Sequence, residues 1–218
     1  EATFEANTSL RLLELTNPNN ELLRRLMIEA PGTYHHSLIV ANLAETAAYE
    51  IDANVALARV GAYYHDIGKL KYPLYFSENQ AGENPHDQME PYSSTQIITA
   101  HTTAGVQMAK EKGLPKVIIN MIQEHHGTSL VKFFYYKALK QYGADEVKEE
   151  DYRYNGPIPQ SRESAIIMIA DTVEAAVRSM LGQGKTLDEV EGFIKTLIKD
   201  KLDELMSLVK GAGSKCSC

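Results

Sequence analysis

The stretch Gly61-Ala62-Tyr63-Tyr64-His65-Asp66-Ile67-Gly68-Lys69 decides the fold of this chain. It ends a densely apolar run that begins at Val55, so an adjacent histidine and aspartate lie where a helix leaves the core. A buried imidazole or carboxylate costs free energy unless it finds a partner. The rest of the chain must therefore supply partners for His65 and Asp66.

Composition and charge narrow the class of protein. The net charge of -7 argues against broad contact with polymeric nucleic acid, which needs a basic surface. Hydrophobic residues make up 44% of the 218 residues, so the chain is not intrinsically disordered. The only cysteines, Cys216 and Cys218, lie in a Gly/Ser/Lys tail, which argues against a disulfide scaffold and favours a reducing compartment.

Apolar residues recur at helical spacing through most of the chain, and no strand alternation or internal repeat interrupts them. The pattern predicts an all-α fold, a compact bundle of many helices. A long polar loop is predicted from Tyr72 to Tyr92, where proline and glycine are frequent. Six helices are predicted with both limits: Leu10–Leu15, Leu22–Met27, Val55–Ile67, Pro115–Glu124, Leu130–Tyr142 and Glu163–Leu181. Three more are predicted by one feature each: a helix that starts at Pro31, a helix that bears His101, and a last helix opened by the capping box Thr186–Glu189. Asn20 is the predicted cap of Leu22–Met27, and Ser93, Ser94 or Thr95 that of the helix bearing His101.

These segments divide the chain into three parts. Residues 1–30 are predicted to form an N-terminal helical extension, residues 31–210 a catalytic domain, and residues 211–218 a disordered or artificial tail. No transmembrane segment is apparent. Because the chain begins without Met, we expect it to be a piece of a longer protein.

Polar metal-competent side chains recur in the apolar helices. Of seven histidines, five lie in such contexts, together with two aspartates. A lone carboxylate at Asp171, inside Ala165–Val173, would be destabilising without a cation. All seven side chains can be satisfied together if they converge on bound metal in the core of a helical bundle. The predicted metal ligands are His36, His65, Asp66, His101, His125, His126 and Asp171.

Seven ligands are too many for one ion, whereas two divalent ions that share Asp66 use them all. We expect one ion on His36, His65 and Asp171, and the other on His101, His125 and His126. Two such ions activate a bridging water and hold the oxygens of an in-line displacement at phosphorus. The residues therefore predict phosphoester hydrolysis, in which a metal-bridging hydroxide attacks phosphorus.

The ordered set of motifs resembles the HD superfamily of metal-dependent phosphohydrolases. The resemblance covers roughly residues 33–178 and rests on Tyr34-His35-His36-Ser37, His65-Asp66-Ile67-Gly68-Lys69, His101, His125-His126 and Asp171. A single His-Asp pair is weak evidence, but the complete set in this order is specific.

Three further stretches are similar to the cytosolic HD domains of PgpH-type seven-transmembrane receptors: Glu124–Thr128, Phe133–Ala138 and Tyr154–Ser161. That resemblance implies hydrolysis of cyclic di-AMP to pApA with two ions of iron or manganese. It also implies a cytoplasmic domain that is tethered to a transmembrane region in the full-length protein and makes no membrane contact itself. Thr128-Ser129-Leu130 replaces the Gly-Tyr-Pro of relatives specific for cyclic di-GMP.

The catalytic residues predicted from the site and the resemblance are His65, Asp66 and Lys69. Lys69 matches the lysine of the motif and is expected to hold a phosphate oxygen, although a solvated lysine at a helix end is the alternative. The predicted substrate contacts are Lys69, Thr128, Arg178 and Tyr136.

Several of these interpretations have a structural alternative. Glu174 and Arg178 share a helix face with Asp171, where Glu174 could support a ligand and Arg178 could bind phosphate; for either residue a structural salt bridge is as well supported. Aromatic residues such as Tyr64 and Phe133 can stack on adenine, but core packing is commoner. His35 is predicted to face solvent or to support a neighbouring ligand, and His86 to lie at the surface, with a substrate contact as the alternative.

Three functions therefore stay open on the sequence. The first is a phosphodiesterase that prefers cyclic di-AMP. The second is another HD phosphohydrolase, acting on cyclic di-GMP, a guanosine alarmone or deoxynucleotide triphosphates. The third is a non-catalytic signalling module that binds metal, although such a module is expected to have lost at least one ligand.

Overall fold

The computed structural model of the chain describes residue 12 and residues 14–213, with side chains as far as residue 207. The described residues are helical, and the only β pairing among them is an isolated bridge between Leu130 and Arg153. The predicted all-α fold is confirmed. The α-helices are α1 (Glu21–Glu29), α2 (Pro31–Glu50), α3 (Val55–Tyr64), α4 (Pro91–Glu111), α5 (Lys116–Glu124), α6 (Lys132–Tyr142), α7 (Arg162–Gly182) and α8 (Leu187–Gly213).

Two compact units make up the chain, one ending at Ile167 and the other beginning at Met168. The second unit contains the C-terminal part of α7 and all of α8, which continues to Gly213. The domain limits expected from the sequence stay a prediction. Half of the predicted helix Leu10–Leu15 and the two cysteines lie outside the described residues, and the three described residues of that helix are helical. Among the described helices, none has the length and hydropathy needed to cross a membrane.

Most helix starts follow local chemistry that is readable in the sequence. The Asn20 side chain accepts a hydrogen bond from the Leu22 amide at the start of α1. At α8, Thr186 and Glu189 exchange the hydrogen bonds of a capping box. The predicted cap of α4 was wrong: no serine or threonine caps it, and the helix begins at Pro91, whose fixed φ and missing N–H suit the first position.

The helix predicted from Val55 to Ile67 ends three residues earlier, at Tyr64. His65 and Asp66 form a turn, and a 3₁₀ helix follows from Ile67 to Lys71. This change of path matters because Gly68 then lies directly against the backbone of α4. The α-helix therefore ends directly before the two buried polar residues, His65 and Asp66.

The segment predicted as a long loop is more regular than expected. Three further 3₁₀ helices lie in it: Pro73–Tyr75, Ser77–Asn79 and Pro85–Gln88. Their turns are held by local hydrogen bonds, such as that from Asn79 Nδ2 to the Pro73 carbonyl at 3.2 Å. Because 3₁₀ helices are short, they carry no long hydrophobic period that a sequence pattern could reveal. A fifth 3₁₀ helix, Glu149–Tyr152, precedes α7.

The core of the first unit is built around α3. Helix α2 packs along α3, α5 packs on α3 from another side, and α4 packs on the Ile67–Lys71 turn and on α5. Apolar side chains fill the space between these elements, including Val40, Val60, Tyr64, Ile118 and Ile122. The helices that carry the predicted ligands are therefore the helices that meet in this core.

Replacing Gly68 by alanine tests the close packing of this turn on α4. A Cβ there would overlap the His101 carbonyl oxygen and lie 2.5 Å from the Gly105 amide nitrogen. We expect Gly68→Ala to lower the free energy of unfolding by at least about 2 kcal/mol, measured by urea denaturation. The control Gly82→Ala, with no atom within 4 Å of its Cβ, should change it by less than about 0.5 kcal/mol. Equal stability of the two variants would contradict the packing argument.

Candidate metal centre

The two oxygens of the Asp66 carboxylate face two different pairs of histidines. Oδ2 lies 3.2 Å from His65 Nε2 and 3.6 Å from His36 Nε2. Oδ1 lies 3.3 Å from His101 Nε2 and 3.6 Å from His125 Nε2. A carboxylate that presents one oxygen to each of two imidazole pairs has the arrangement of a bridging ligand.

Each of these side chains comes from a different element of the first unit. His36 belongs to α2, His65 follows the last residue of α3, His101 lies in α4, and His125 follows the last residue of α5. All four, and Asp66, are at most 3% exposed. Helix packing, not sequence proximity, brings them together.

The imidazoles share a local hydrogen bond that fixes their tautomer. In three of them Nδ1 lies close to the carbonyl oxygen three residues earlier, and a carbonyl can only accept, so Nδ1 carries the hydrogen. The pairs are His65 with Ala62 (2.7 Å), His101 with Ile98 (2.6 Å) and His125 with Ile122 (2.8 Å). The ring nitrogen that faces Asp66 is therefore Nε2, with its lone pair when the ring is neutral.

Burial favours the neutral form of the His125 ring. Burial lowers the pKa of His125 to about 4, so its Nε2 presents a lone pair at neutral pH. That nitrogen lies 3.2 Å from His101 Nε2, and both face Asp66 Oδ1. Acceptor atoms that point at one another repel unless a cation lies between them.

The donor set fits divalent metal ions. Asp66, His101, His125 and His126 offer ligand atoms that all lie within 4.8 Å of one another. On the other side of the carboxylate, His36 and His65 offer ligand atoms that lie within 4.8 Å of each other and of an Asp66 oxygen. Imidazole nitrogen with carboxylate oxygen is a set that suits transition metals. His126 is half-buried, with its ring 4.1 Å from that of His125.

Lys69 is the cation beside this cluster. Its Nζ lies 2.7 Å from Asp66 Oδ2 and 2.7 Å from Glu78 Oε1, and its side chain is 12% exposed. The alternative of a solvated lysine at a helix end is therefore wrong. Burial alone would raise the pKa of Asp66, but the adjacent His65 and Lys69 hold it well below its ordinary value. Burial also acts to raise the pKa of Glu78, but the nearby Lys69 ammonium group outweighs it, so this pKa is lower than the ordinary value of a glutamate.

Asp171, Glu174 and Arg178 belong to the second unit. Asp171 and Glu174 are buried, at 7% and 6% exposure. Arg178 Nε lies 3.2 Å from Glu174 Oε1, so the salt bridge considered from the sequence is present. The role of Asp171 as a ligand and of Arg178 as a substrate contact stay predictions from the sequence.

The other predicted substrate contacts lie in the first unit. Thr128 follows the adjacent ligands after one glycine, and its carbonyl accepts a hydrogen bond from Arg153 at 2.9 Å. Tyr136 lies on α6 and is 60% exposed. Tyr64, by contrast, is fully buried, and its hydroxyl donates to the Leu15 carbonyl at 2.8 Å. The core interpretation therefore holds for Tyr64.

Sequence reasoning missed three side chains around the cluster. Glu78 binds Lys69 from the segment that was predicted as a polar loop. The Tyr154 ring stacks on His126 at 4.2 Å, and the Phe76 ring lies edge-on to His101 at 5.7 Å. Phe76 is apolar inside a polar segment, which is the one signal that could have pointed to a buried contact. Tyr154 lies in a stretch that carries the family resemblance, but no contact with His126 was predicted for it, and Glu78 carries no distinguishing pattern.

The prediction of a surface position was right for His35, which is exposed, and wrong for His86. His86 is 4% exposed, and its ring packs between Tyr75 and Phe134 at 5.3 and 4.9 Å. Its Nε2 lies 3.0 Å from the Tyr75 carbonyl. Burial lowers the pKa of His86, so this histidine is a structural member of the segment.

Comparison with known proteins agrees with this geometry. The model of the HD domain family matches residues 33–176. The cyclic-di-AMP phosphodiesterase PgpH of Bacillus subtilis (strain 168) is 52% identical over 205 residues, which cover 94% of this chain and 28% of that protein. PgpH of Listeria monocytogenes serotype 1/2a is 52% identical over 202 residues, covering 92% of this chain and 28% of that protein. The chain thus spans just over a quarter of these relatives.

Comparison with a solved structure shows that the fold is similar as well as the sequence. The crystal structure of the L. monocytogenes phosphodiesterase PgpH HD domain in complex with cyclic-di-AMP is 50% identical in sequence, with a TM-score of 0.78. The match covers 84% of this chain and 83% of that one. With a family match over most of its length and a similar fold at this identity, the chain belongs to the HD domain family.

Proposed function

We propose that this chain is the catalytic domain of a cyclic dinucleotide phosphodiesterase that hydrolyses cyclic di-AMP to pApA. The observation that carries the proposal is the Asp66 carboxylate, which presents one oxygen to each of two histidine pairs. The identity to PgpH phosphodiesterases and the likeness to a PgpH HD domain in complex with cyclic-di-AMP support the substrate.

Seven residues would hold the two metal ions. One ion is assigned to His36, His65 and Asp171, the other to His101, His125 and His126, and Asp66 is shared. When bound, two divalent ions supply an activated water and Lewis-acid stabilisation of charge on the phosphate oxygens. Iron and manganese are both consistent with imidazole and carboxylate ligands, and we propose one of them on the resemblance to PgpH.

The residues of the chain would then orient the phosphodiester. The buried ligands keep their Nε2 atoms aimed at the cluster through the Nδ1 hydrogen bonds, so little reorganisation is needed when substrate binds. His65 and Asp66 act together as the catalytic core of the site. Lys69, beside Asp66, places an ammonium group where it can bind a non-bridging phosphate oxygen.

Three further side chains are proposed as substrate contacts. Thr128 lies next to the adjacent ligands in sequence and can reach the substrate backbone. Tyr136 is an exposed aromatic ring that can stack on adenine. Arg178 is proposed to bind phosphate, and its ion pair with Glu174 would orient its guanidinium group.

The proposal extends to the whole protein. Since the chain spans 28% of the PgpH relatives it matches, we propose that it is the cytoplasmic domain of a longer, membrane-tethered protein. The partner is the small cyclic dinucleotide and not a nucleic-acid polymer, in line with the net charge of -7.

The substrate is tested with a panel of nucleotides. The protein loaded with manganese or iron is incubated with cyclic di-AMP, cyclic di-GMP, a guanosine alarmone and a deoxynucleotide triphosphate, and products are separated by chromatography. We expect cyclic di-AMP to be converted to pApA, and a chelator to abolish the conversion. Turnover of another member of the panel in preference to cyclic di-AMP would refute the proposed substrate, and no turnover of any member would refute the proposed activity.

The shared-carboxylate assignment is tested by substitution. Asp66→Ala and His65→Ala should each lower activity by more than about 100-fold, beyond the loss typical of a residue that only supports a ligand. Asp66→Ala should also reduce the content of both ions, measured by elemental analysis. His35→Ala removes an exposed imidazole next to a ligand and serves as the control with unchanged metal content and activity. Normal metal content in Asp66→Ala would rule out the bridging role.

A further inference from the structure

Glu78 is a buried carboxylate that neither the motif nor the proposed ligand set includes. Its side chain is 7% exposed and lies in the 3₁₀ helix Ser77–Asn79. Oε1 accepts hydrogen bonds from Lys69 Nζ at 2.7 Å and from Thr33 Oγ1 at 3.1 Å. A buried carboxylate with these two partners is positioned by the fold, because burial would otherwise make its charge costly.

The backbone around Glu78 is fixed to the start of α2, the helix that carries His36. The Thr33 amide donates to Asn79 Oδ1 at 3.0 Å, and Asn79 Nδ2 donates to Thr33 Oγ1 at 2.8 Å. Gly32 has no room for a side chain, because a Cβ there would overlap the Glu78 carbonyl oxygen. The carboxylate therefore keeps its place relative to the metal cluster.

Lys69 lies between this carboxylate and Asp66. Its ammonium nitrogen is 2.7 Å from Asp66 Oδ2, the oxygen that faces His36 and His65. It also lies 4.9 Å from the centre of the Phe76 ring. An ammonium group at this distance competes with a metal ion for the lone pairs of Oδ2 and repels the ion through its own positive charge. The motif lysine therefore weakens the site unless its charge is compensated.

We propose that Glu78 is a positioning residue that compensates the charge of Lys69, so that Asp66 Oδ2 stays available to a metal ion while the ammonium group remains beside it. The inference rests on the proposed two-ion site. It explains why a carboxylate outside the ligand set is buried within hydrogen-bonding distance of the lysine. Outer groups of this kind commonly tune the affinity of a metal site.

The experiment measures Mn²⁺ affinity by competition with a chelator, for the wild type and for variants whose folding is checked by circular dichroism. Glu78→Gln keeps the shape of the side chain but removes its charge, and we expect it to weaken Mn²⁺ binding roughly 10- to 100-fold. Glu83→Gln removes the same charge from an exposed position in the same segment and should leave the affinity unchanged.

A double variant separates charge compensation from a structural role. Lys69→Met combined with Glu78→Gln removes both charges, and it should restore Mn²⁺ affinity to within about threefold of the wild type, as expected for coupled residues in a double-mutant cycle. If Glu78 were merely structural, the double variant would bind as weakly as Glu78→Gln or more weakly. Activity does not enter this test, because Lys69 is itself a proposed substrate contact.

The outcomes distinguish this inference from the proposed function. If the wild type binds neither Mn²⁺ nor Fe²⁺, the proposed two-ion site fails, and the inference fails with it. If the wild type binds two ions and Glu78→Gln binds them equally well, the inference alone is refuted. If Glu78→Gln does not fold, the double variant decides: wild-type affinity supports charge compensation, and weak binding overturns it.

Discussion

The burial of the Asp66 carboxylate among imidazole nitrogens is the constraint on which the rest of the site depends. A carboxylate removed from water needs positive charge or hydrogen-bond donors around it. Lys69 supplies one ammonium group next to Oδ2. Three of the four histidines that face these oxygens, His65, His101 and His125, are held in the tautomer that offers a lone pair at Nε2 when the ring is neutral. Divalent ions on both sides of the carboxylate would satisfy all of these atoms together and would tie the stability of the core to metal binding.

The way in which the ligands are oriented is repeated from helix to helix. The predicted ligand histidines within α4 and directly after α3 and α5 each donate a hydrogen bond from Nδ1 to the carbonyl oxygen three residues earlier. Each helix therefore sets the tautomer of its own ligand, and packing has only to bring the helices together. Packing of four separate elements then brings the Nε2 atoms of their histidines to the same aspartate, Asp66.

The close approach of backbone segments completes the site. At Gly68 the turn after the ligands lies on α4, and at Gly32 the start of α2 lies on the segment that contains Glu78. Both contacts require a residue without a side chain. The same two contacts place Lys69 between Asp66 and Glu78, so the electrostatics of the cluster follow from how closely these backbones pack.

Helical period, capping residues and polar side chains in apolar helices are local signals, so the helical class, most helix limits and the set of histidines that lie together could be predicted from the sequence. Only the tertiary structure decided that α3 ends at Tyr64, that each Asp66 oxygen faces its own histidine pair, and that Glu78 and Tyr154 join the cluster. These features depend on contacts between residues far apart in the chain. His86 was misjudged for the same reason, since the aromatic rings that bury it come partly from α6.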